Sequence, residues 1–295
     1  MPLTHTRTFR VRYYECDLYG HVNMSNYPRC MTEAAFDAST AAGYSPEKYE
    51  QIGKTWIIRD TEVEFLKQLR YGDTFEIKTW VTDFRRVRSR RAYEFRLAGE
   101  DELIARGQMD WVFINTKTQQ PATIPEEMKS AFFPEGPPVE ASRREPFPPP
   151  PLPPPGAVTF RKKASWNDVD PTHHVNNAKY LDYFQETNML VADTYGLSHD
   201  FSMDEGIAWF ARKVRIEYLQ QTRLGDLLDV TTFLSDVKRI SAVRHYLVQN
   251  ADTREMVARA YMYFASIDFS TGRPVRLPAD TMAKLAPNIA GDEDA

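Results

Sequence analysis

Cysteine is nearly missing from this chain: Cys16 and Cys30 are the only two in 295 residues, too few for a disulfide scaffold and ordinary for a reducing compartment. An excess of one charge is missing as well. With 37 basic against 41 acidic residues and a formal net charge of −4, bulk electrostatics give no reason to expect a nucleic acid partner. There is no run of about 18 apolar residues to span a bilayer. The opening Met1-Pro2-Leu3-Thr4-His5 has no apolar stretch of the signal-peptide kind. Zinc-ligand spacings, a phosphate loop and a dinucleotide fingerprint are also absent. The expectation is a soluble cytoplasmic protein with no membrane partner, no metal and no cofactor.

What the chain does contain is written twice. Asp17-Leu-Tyr-Gly-His21-Val-Asn23 returns as Asp170-Pro-Thr-His-His174-Val-Asn176, with both Asp and both His 153 positions apart. The same offset pairs Tyr27 with Tyr180, Glu33 with Glu186, Gly43 with Gly196, Trp56 with Trp209, Gln68 with Gln221, and Arg70-Tyr-Gly-Asp73 with Arg223-Leu-Gly-Asp226. It holds as far as Pro125 and Pro278. A long period seen only twice means two copies of one domain and not a solenoid. Such copies can pack as a homodimer would, giving a pseudo-dimer within one chain, with a homodimer of the whole chain as a further possibility.

Each copy opens as a strand (residues 7–14 in the first), then the polar loop, then a helix. From about Ser25 the apolar residues Tyr27, Cys30, Met31, Ala34, Ala35 and Ala38 fall on one helical stripe. Pro28 is tolerable in the first turn, and Gly43 supplies a stop. Only strand signals follow: Trp56–Leu66, the alternation Phe75, Ile77, Thr79, Val81, then Tyr93, Phe95, Leu97, and last Met109, Trp111, Phe113. The predicted class is α+β, a tandem hot-dog in which each copy is a curved antiparallel sheet wrapped around one long helix. Domain bounds are 1–133 and 157–290, joined by a Pro-rich linker at 134–156 and ended by a disordered acidic tail at 291–295. Residues 148–155, Pro-Pro-Pro-Pro-Leu-Pro-Pro-Pro, form a polyproline spacer of roughly 25 Å.

Asp17 and Asp170 stand just ahead of a helix start, where unpaired N–H groups favour a developing oxyanion. A carboxylate there supplies a nucleophile or a general base for water, as acyl transfer requires. His21 and His174 can hold the water, orient the acid or shuttle a proton. The structural alternative is helix capping by Asp or by Asn23 and Asn176, worth about 1 kcal/mol and nothing to catalysis.

Asp-x2-Gly-His-Val-Asn with Tyr27 and Glu33 resembles the 4-hydroxybenzoyl-CoA thioesterase group. Trp166-Asn-Asp-Val-Asp-Pro-Thr-His-His-Val-Asn-Asn-Ala-Lys-Tyr180 is similar to the catalytic domain of the acyl-ACP thioesterases, whose two hot-dogs per chain the whole layout also resembles. The resemblance implies hydrolysis of an acyl-ACP or acyl-CoA thioester, with Asp17 and Asp170 as catalytic carboxylates, His174 catalytic, His21 its counterpart, and the N–H of Met24 and of Asn177 as oxyanion donors. Two departures leave the acyl carrier open: Thr172 stands where the acyl-ACP branch has Asn, and Gln221-Thr222 where it has Glu-Cys. Since both copies keep Asp and His, two working sites are expected. Asn23, Asn176, Thr172, Gln68 and Gln221 complete the candidates, as substrate contacts.

Arg59 and Arg212 are expected to pair with a carboxylate such as Glu64 or Glu217. Arg85, Arg86, Arg88, Arg90 and Arg91, with Lys238, Arg239 and Arg244 in the repeat, form either a solvated face or a phosphate-binding cluster. Two other functions share the fold's chemistry: an acyl-thioester hydratase or dehydratase, and a non-catalytic acyl-CoA-binding module in which both Asp are caps.

Overall fold

The computed structural model describes residues 1–136, 144–197, 206–268 and 270–291, and the backbone alone of Ala208. Residues 137–143 of the expected linker and 292–295 of the expected tail lie outside the described residues. The chain divides into two compact units, Met1–Pro146 and Phe147–Ala295. No helix among the described residues is long and apolar enough to cross a membrane.

Unit one holds strands β1 (Thr4–Arg10), β2 (Lys54–Phe65), β3 (Thr74–Phe84), β4 (Arg88–Leu97) and β5 (Leu103–Asn115), hydrogen-bonded in the order β1-β3-β4-β5-β2, all antiparallel. The long helix α1 (Asn26–Ala41) lies on the face carrying Phe75, Ile77, Tyr93 and Phe95, with Tyr27, Met31, Ala34, Ala35 and Ala38 buried beneath it. The Tyr27 ring meets Phe65 at 5.0 Å and Phe95 at 5.5 Å. Gly107 lets the helix sit close to the sheet: a Cβ there would come within 2.7 Å of the Met31 Cε and 3.1 Å of the Glu62 carbonyl oxygen, so a larger residue would have to push the Met31 tip aside. After α1, Gly43 takes φ +84°, a left-handed stop that a side chain would resist.

Unit two repeats the plan with β6 (Val158–Lys163), β7 (Ile207–Tyr218), β8 (Leu227–Ser235), β9 (Ser241–Asn250) and β10 (Met256–Asp268), in the order β6-β8-β9-β10-β7. Its long helix, Lys179–Thr194, buries Tyr180, Leu181, Tyr183, Phe184, Thr187 and Val191. Phe184 stacks on Tyr246 at 4.2 Å, and the Tyr246 hydroxyl donates to Asn188 Oδ1 at 2.9 Å. Each unit is thus the hot-dog that the alternating strands and single amphipathic stripe predicted.

Three expectations need correction. The first strand ends at Arg10 and not at residue 14, because the Arg12 N–H donates to Glu15 Oε2 at 2.7 Å and closes a 3₁₀ turn over Tyr13–Glu15. The long helices are not the sole helical elements. Short helices cover Pro46–Gln51, Glu126–Phe132 and Ala279–Leu285, each too brief to show a period, and the last two follow the repeated Pro125 and Pro278. They close the apolar end of each unit, Met128 and Phe132 against Val81 and Phe113, and Leu285 against Val191 and Leu234. Finally, Glu64 and Glu217 are taken by Arg106 at 2.6 Å and Arg259 at 2.8 Å, their direct cross-strand neighbours, and not by Arg59 or Arg212.

The arginine run is not one surface either. Arg85, Arg86 and Arg88 are exposed, whereas Arg90, Arg91 and Arg244 are buried. Arg90 faces outward from β4 onto Asp110, which it grips through Nε at 2.7 Å and Nη2 at 2.9 Å. Arg144 joins the same cluster through Asp83 and through Asp110. Arg91 points inward, its guanidinium 5.5 Å from the Phe132 ring centre.

Candidate active site

The loop between the 3₁₀ turn and the long helix is closed by its own backbone. The Asp17 N–H donates to the His21 carbonyl at 2.8 Å, and Asp17 Oδ1 accepts from the N–H of Tyr19 at 2.9 Å and of His21 at 3.1 Å. In the second copy the Asp170 N–H donates to the His174 carbonyl at 3.0 Å. Asp170 Oδ1 accepts from the Thr172 N–H at 2.9 Å and hydroxyl at 2.5 Å, and Oδ2 accepts from Asn176 Nδ2 at 3.2 Å. These bonds make each Asp the hub of a local turn, and they leave Asp17 Oδ2 less engaged than Asp170 Oδ2. The turn needs a left-handed residue, supplied by Gly20 at φ +73° in one copy and by His173 at φ +64° in the other.

Neither Asp caps the helix. That work is done by Asn23, whose Oδ1 accepts from the Ser25 N–H and hydroxyl, both at 3.0 Å, and by Asn176, whose Oδ1 accepts from the Ala178 N–H at 3.0 Å. The capping explanation therefore falls on the asparagines and frees the acids from it. One amide in each copy stays uncommitted. Asn23 N–H donates to Glu15 O and Asn176 N–H to Asp168 O, both at 2.8 Å, while the next N–H groups, of Met24 and Asn177, donate to nothing among the described residues. They lie at the positive end of a sixteen-residue helix. The Tyr218 hydroxyl donates to the Asn177 carbonyl at 3.0 Å, holding that segment in place.

His21 is buried and His174 half-buried. Burial pushes the His21 pKa below the usual imidazole value, Asp17 raises it in part, and Arg70 lowers it again. For His174 burial again dominates, followed by Arg223, which lowers the pKa, and Asp170, which raises it. Both rings are accordingly neutral at pH 7, fit to accept a proton or orient an acid. Arg70 and Arg223 are not among the site residues expected from the sequence, where they stand only as a matched pair of the repeat. Their identical spacing in the two copies was the available signal, and the pairing of His21 with Arg70 in an isolated β-bridge supplies the missing contact.

Gln68 and Gln221 are exposed, immediately ahead of Leu69 and Thr222, whose carbonyls accept from the Val22 and Val175 N–H groups at 2.8 Å. They border the loop without a hydrogen bond to Asp or His. Thr172 is exposed and spent on Asp170. Thr222 is buried and shares a 2.9 Å hydrogen bond with the Tyr180 hydroxyl. No group of three or more His, Cys, Asp and Glu residues that could hold a metal occurs among the described residues. A cavity of about 240 Å³ lined by Trp209, Ile240, Leu277 and Met282 lies at the far end of β8 from Asp170.

Residues 2–132 match the family model of the acyl-ACP thioesterase N-terminal domain, and residues 164–285 match that of the thioesterase-like superfamily. A chloroplastic acyl-[acyl-carrier-protein] hydrolase of Cuphea viscosissima is 28% identical over 198 residues, covering 63% of this chain and 47% of that protein. The chain spans about half the length of the curated relatives it matches first. Among solved structures, the 12:0-ACP thioesterase from Umbellularia californica superposes with TM-score 0.71 at 22% identity over 89% of this chain and 97% of that one. An acyl-ACP thioesterase from Bacteroides thetaiotaomicron gives TM-score 0.65 at 18% identity over 88% and 97%. At these identities the superpositions establish the tandem hot-dog fold.

Proposed function

We propose that this chain, whose residues 2–132 match the acyl-ACP thioesterase N-terminal domain model and residues 164–285 the thioesterase-like superfamily model, hydrolyses acyl thioesters, on ACP or CoA, to a free acid and a thiol. The observation that carries the reading is the uncommitted amide of Met24 and of Asn177 beside an Asp-His loop, present in both copies. The thioester carbonyl oxygen docks on that N–H at the helix start. Water attacks the carbonyl carbon and passes its proton to the Asp17 or Asp170 carboxylate. The tetrahedral oxyanion is held by the amide and the helix dipole, at a benefit of about 10²–10³ in rate. Collapse breaks the C–S bond, and the departing thiolate takes up the proton. Neutral His21 or His174 orients the water or the acid; Asn23 and Asn176 hold the helix start, and Gln68 and Gln221 border the thioester.

Thiol release by wild type, Asp17→Asn, Asp170→Asn and the double variant, over acyl-CoA and acyl-ACP substrates of increasing length, tests the reading. Loss of about 10²-fold or more in the double variant is expected, with partial loss in each single variant if both loops work. Undiminished turnover in the double variant would end the proposal, and hydration of an enoyl thioester without thiol release would replace it with a hydratase.

A further inference from the structure

Around each Asp-His loop large side chains stand in water with no core to enter. Tyr13 is 79% exposed and Tyr71 57%, their rings meeting edge to face at 5.6 Å. The positions 153 further on are Trp166, 77% exposed, and Leu224, 49% exposed. An apolar rim at the same two places in two diverged copies is not stray surface hydrophobicity. It is also tied to the loop: Arg70 and Gly72 flank Tyr71, Arg70 forms the β-bridge with His21, and the Gly72 N–H donates to the Val11 carbonyl at 3.2 Å. Next to these surfaces lie cations. Arg10 and Arg70 in the first copy, and Lys163 and Arg223 in the second, are exposed and have no acidic partner among the described residues.

From this juxtaposition we infer that the rim Tyr13/Tyr71 with Arg10 and Arg70, and its repeat Trp166/Leu224 with Lys163 and Arg223, bind the nucleotide end of coenzyme A, making acyl-CoA the substrate class. The inference rests on the hydrolase reading and names its carrier. A planar exposed ring stacks on a purine whatever its substituents, and arginine suits phosphate oxygens. The alternative carrier, an acidic protein, would require a broad surface of one sign. Here acids are interspersed: Glu15 with Arg12 at 4.0 Å, and Asp73 and Asp226 bonded to the backbone of the same turns at 2.8 Å.

The experiment compares one acyl group on CoA, on N-acetylcysteamine and on ACP, for wild type and for Tyr13→Ala/Trp166→Ala. For the acyl-CoA, KM is expected to rise about tenfold in the double variant with kcat unchanged, while both constants for the N-acetylcysteamine thioester stay as in wild type. Equal effects on both small thioesters, no effect on acyl-CoA, or a lower KM for acyl-ACP that the variant leaves unchanged would each overturn the assignment with hydrolysis intact. Absence of thiol release from all three would instead overturn the hydrolase reading. Isothermal titration of CoA against pantetheine supplies a readout independent of turnover: a tighter Kd for CoA that the double variant abolishes is expected, and equal affinities refute the rim.

Discussion

Arg244→Met is expected to leave the protein as stable as wild type or more so. Arg244 lies on the inward face of β9 between Ala242 and Tyr246, 7% exposed, and its Nη1 is buried with no hydrogen-bond partner. Burial pushes its pKa down, and the Tyr246 hydroxyl is the sole group acting against that. Taking a cation out of water costs several kcal/mol even after relaxation, and an ion pair would offset that cost only with good geometry. No carboxylate is in ion-pair range of Arg244 among the described residues, so most of the cost stands. Methionine keeps much of the aliphatic volume and removes the charge. The gain expected is about 1–3 kcal/mol, which at about 2–4 °C per kcal/mol for a domain of this size is a visible rise in Tm. The equivalent Arg91→Met should be close to neutral, since Arg91 retains Thr79 Oγ1 at 3.5 Å and the Phe132 face, contacts of about 0.5–1 kcal/mol each. Urea denaturation followed by tryptophan fluorescence measures both. If Arg244→Met lost about 2 kcal/mol or more at unchanged m, the guanidinium would have to be well paired and the reasoning from desolvation would fail.

Four other outcomes are expected. Asp110→Ala strips Arg90 of its bidentate partner on the outer sheet face and should cost about 3–5 kcal/mol in the same urea titration, far more than an exposed pair. His173→Gly relieves a left-handed residue at φ +64°; since that conformation costs roughly 1–2 kcal/mol for an L side chain, a small rise in Tm is expected, whereas Gly20→Ala should lower it. His245, stacked on Phe233 and bonded to Ser235 Oγ at 2.7 Å, has its pKa lowered to about 4 by burial. The unfolded chain then binds the extra proton first, so stability is full above about pH 6.5 and falls by roughly 3 kcal/mol on acidification toward pH 4; His245→Gln should flatten that limb of a pH-stability curve. Because burial depresses the His21 and His174 pKa values, the acid limb of the kcat/KM profile should fall below the pKa of a free imidazole, and Arg70→Gln with Arg223→Gln should move it upward.

Much of this was legible from the sequence, for identifiable reasons. The alternation of Phe75, Ile77 and Val81 and the stripe Tyr27, Met31, Ala34 and Ala38 are direct records of which faces are dry, and the sheet and helix follow from them. The repeat located both loops. What stayed hidden were properties of contact: that Asn23 and Asn176 cap the helices in place of the acids, that Arg106 and Arg259 reach Glu64 and Glu217 before Arg59 and Arg212 do, and that Arg91 and Arg244 turn inward. Position along the chain gives a residue's face, but a partner on another strand is set by register. The helices Pro46–Gln51 and Ala279–Leu285 were missed because six or seven residues are under two full turns.

The unequal engagement of Asp17 and Asp170 carries a consequence for how such a gene can change. In a homodimer every amino-acid replacement arrives at both reaction centres together, so each trial is all or nothing. Here the two Asp-His loops are encoded separately, so under the proposed hydrolase reading one is free to drift toward a new acyl preference while its twin keeps the original one. Progress curves on mixed thioesters, resolved into two phases that respond to different single replacements, would be the biochemical trace of that freedom.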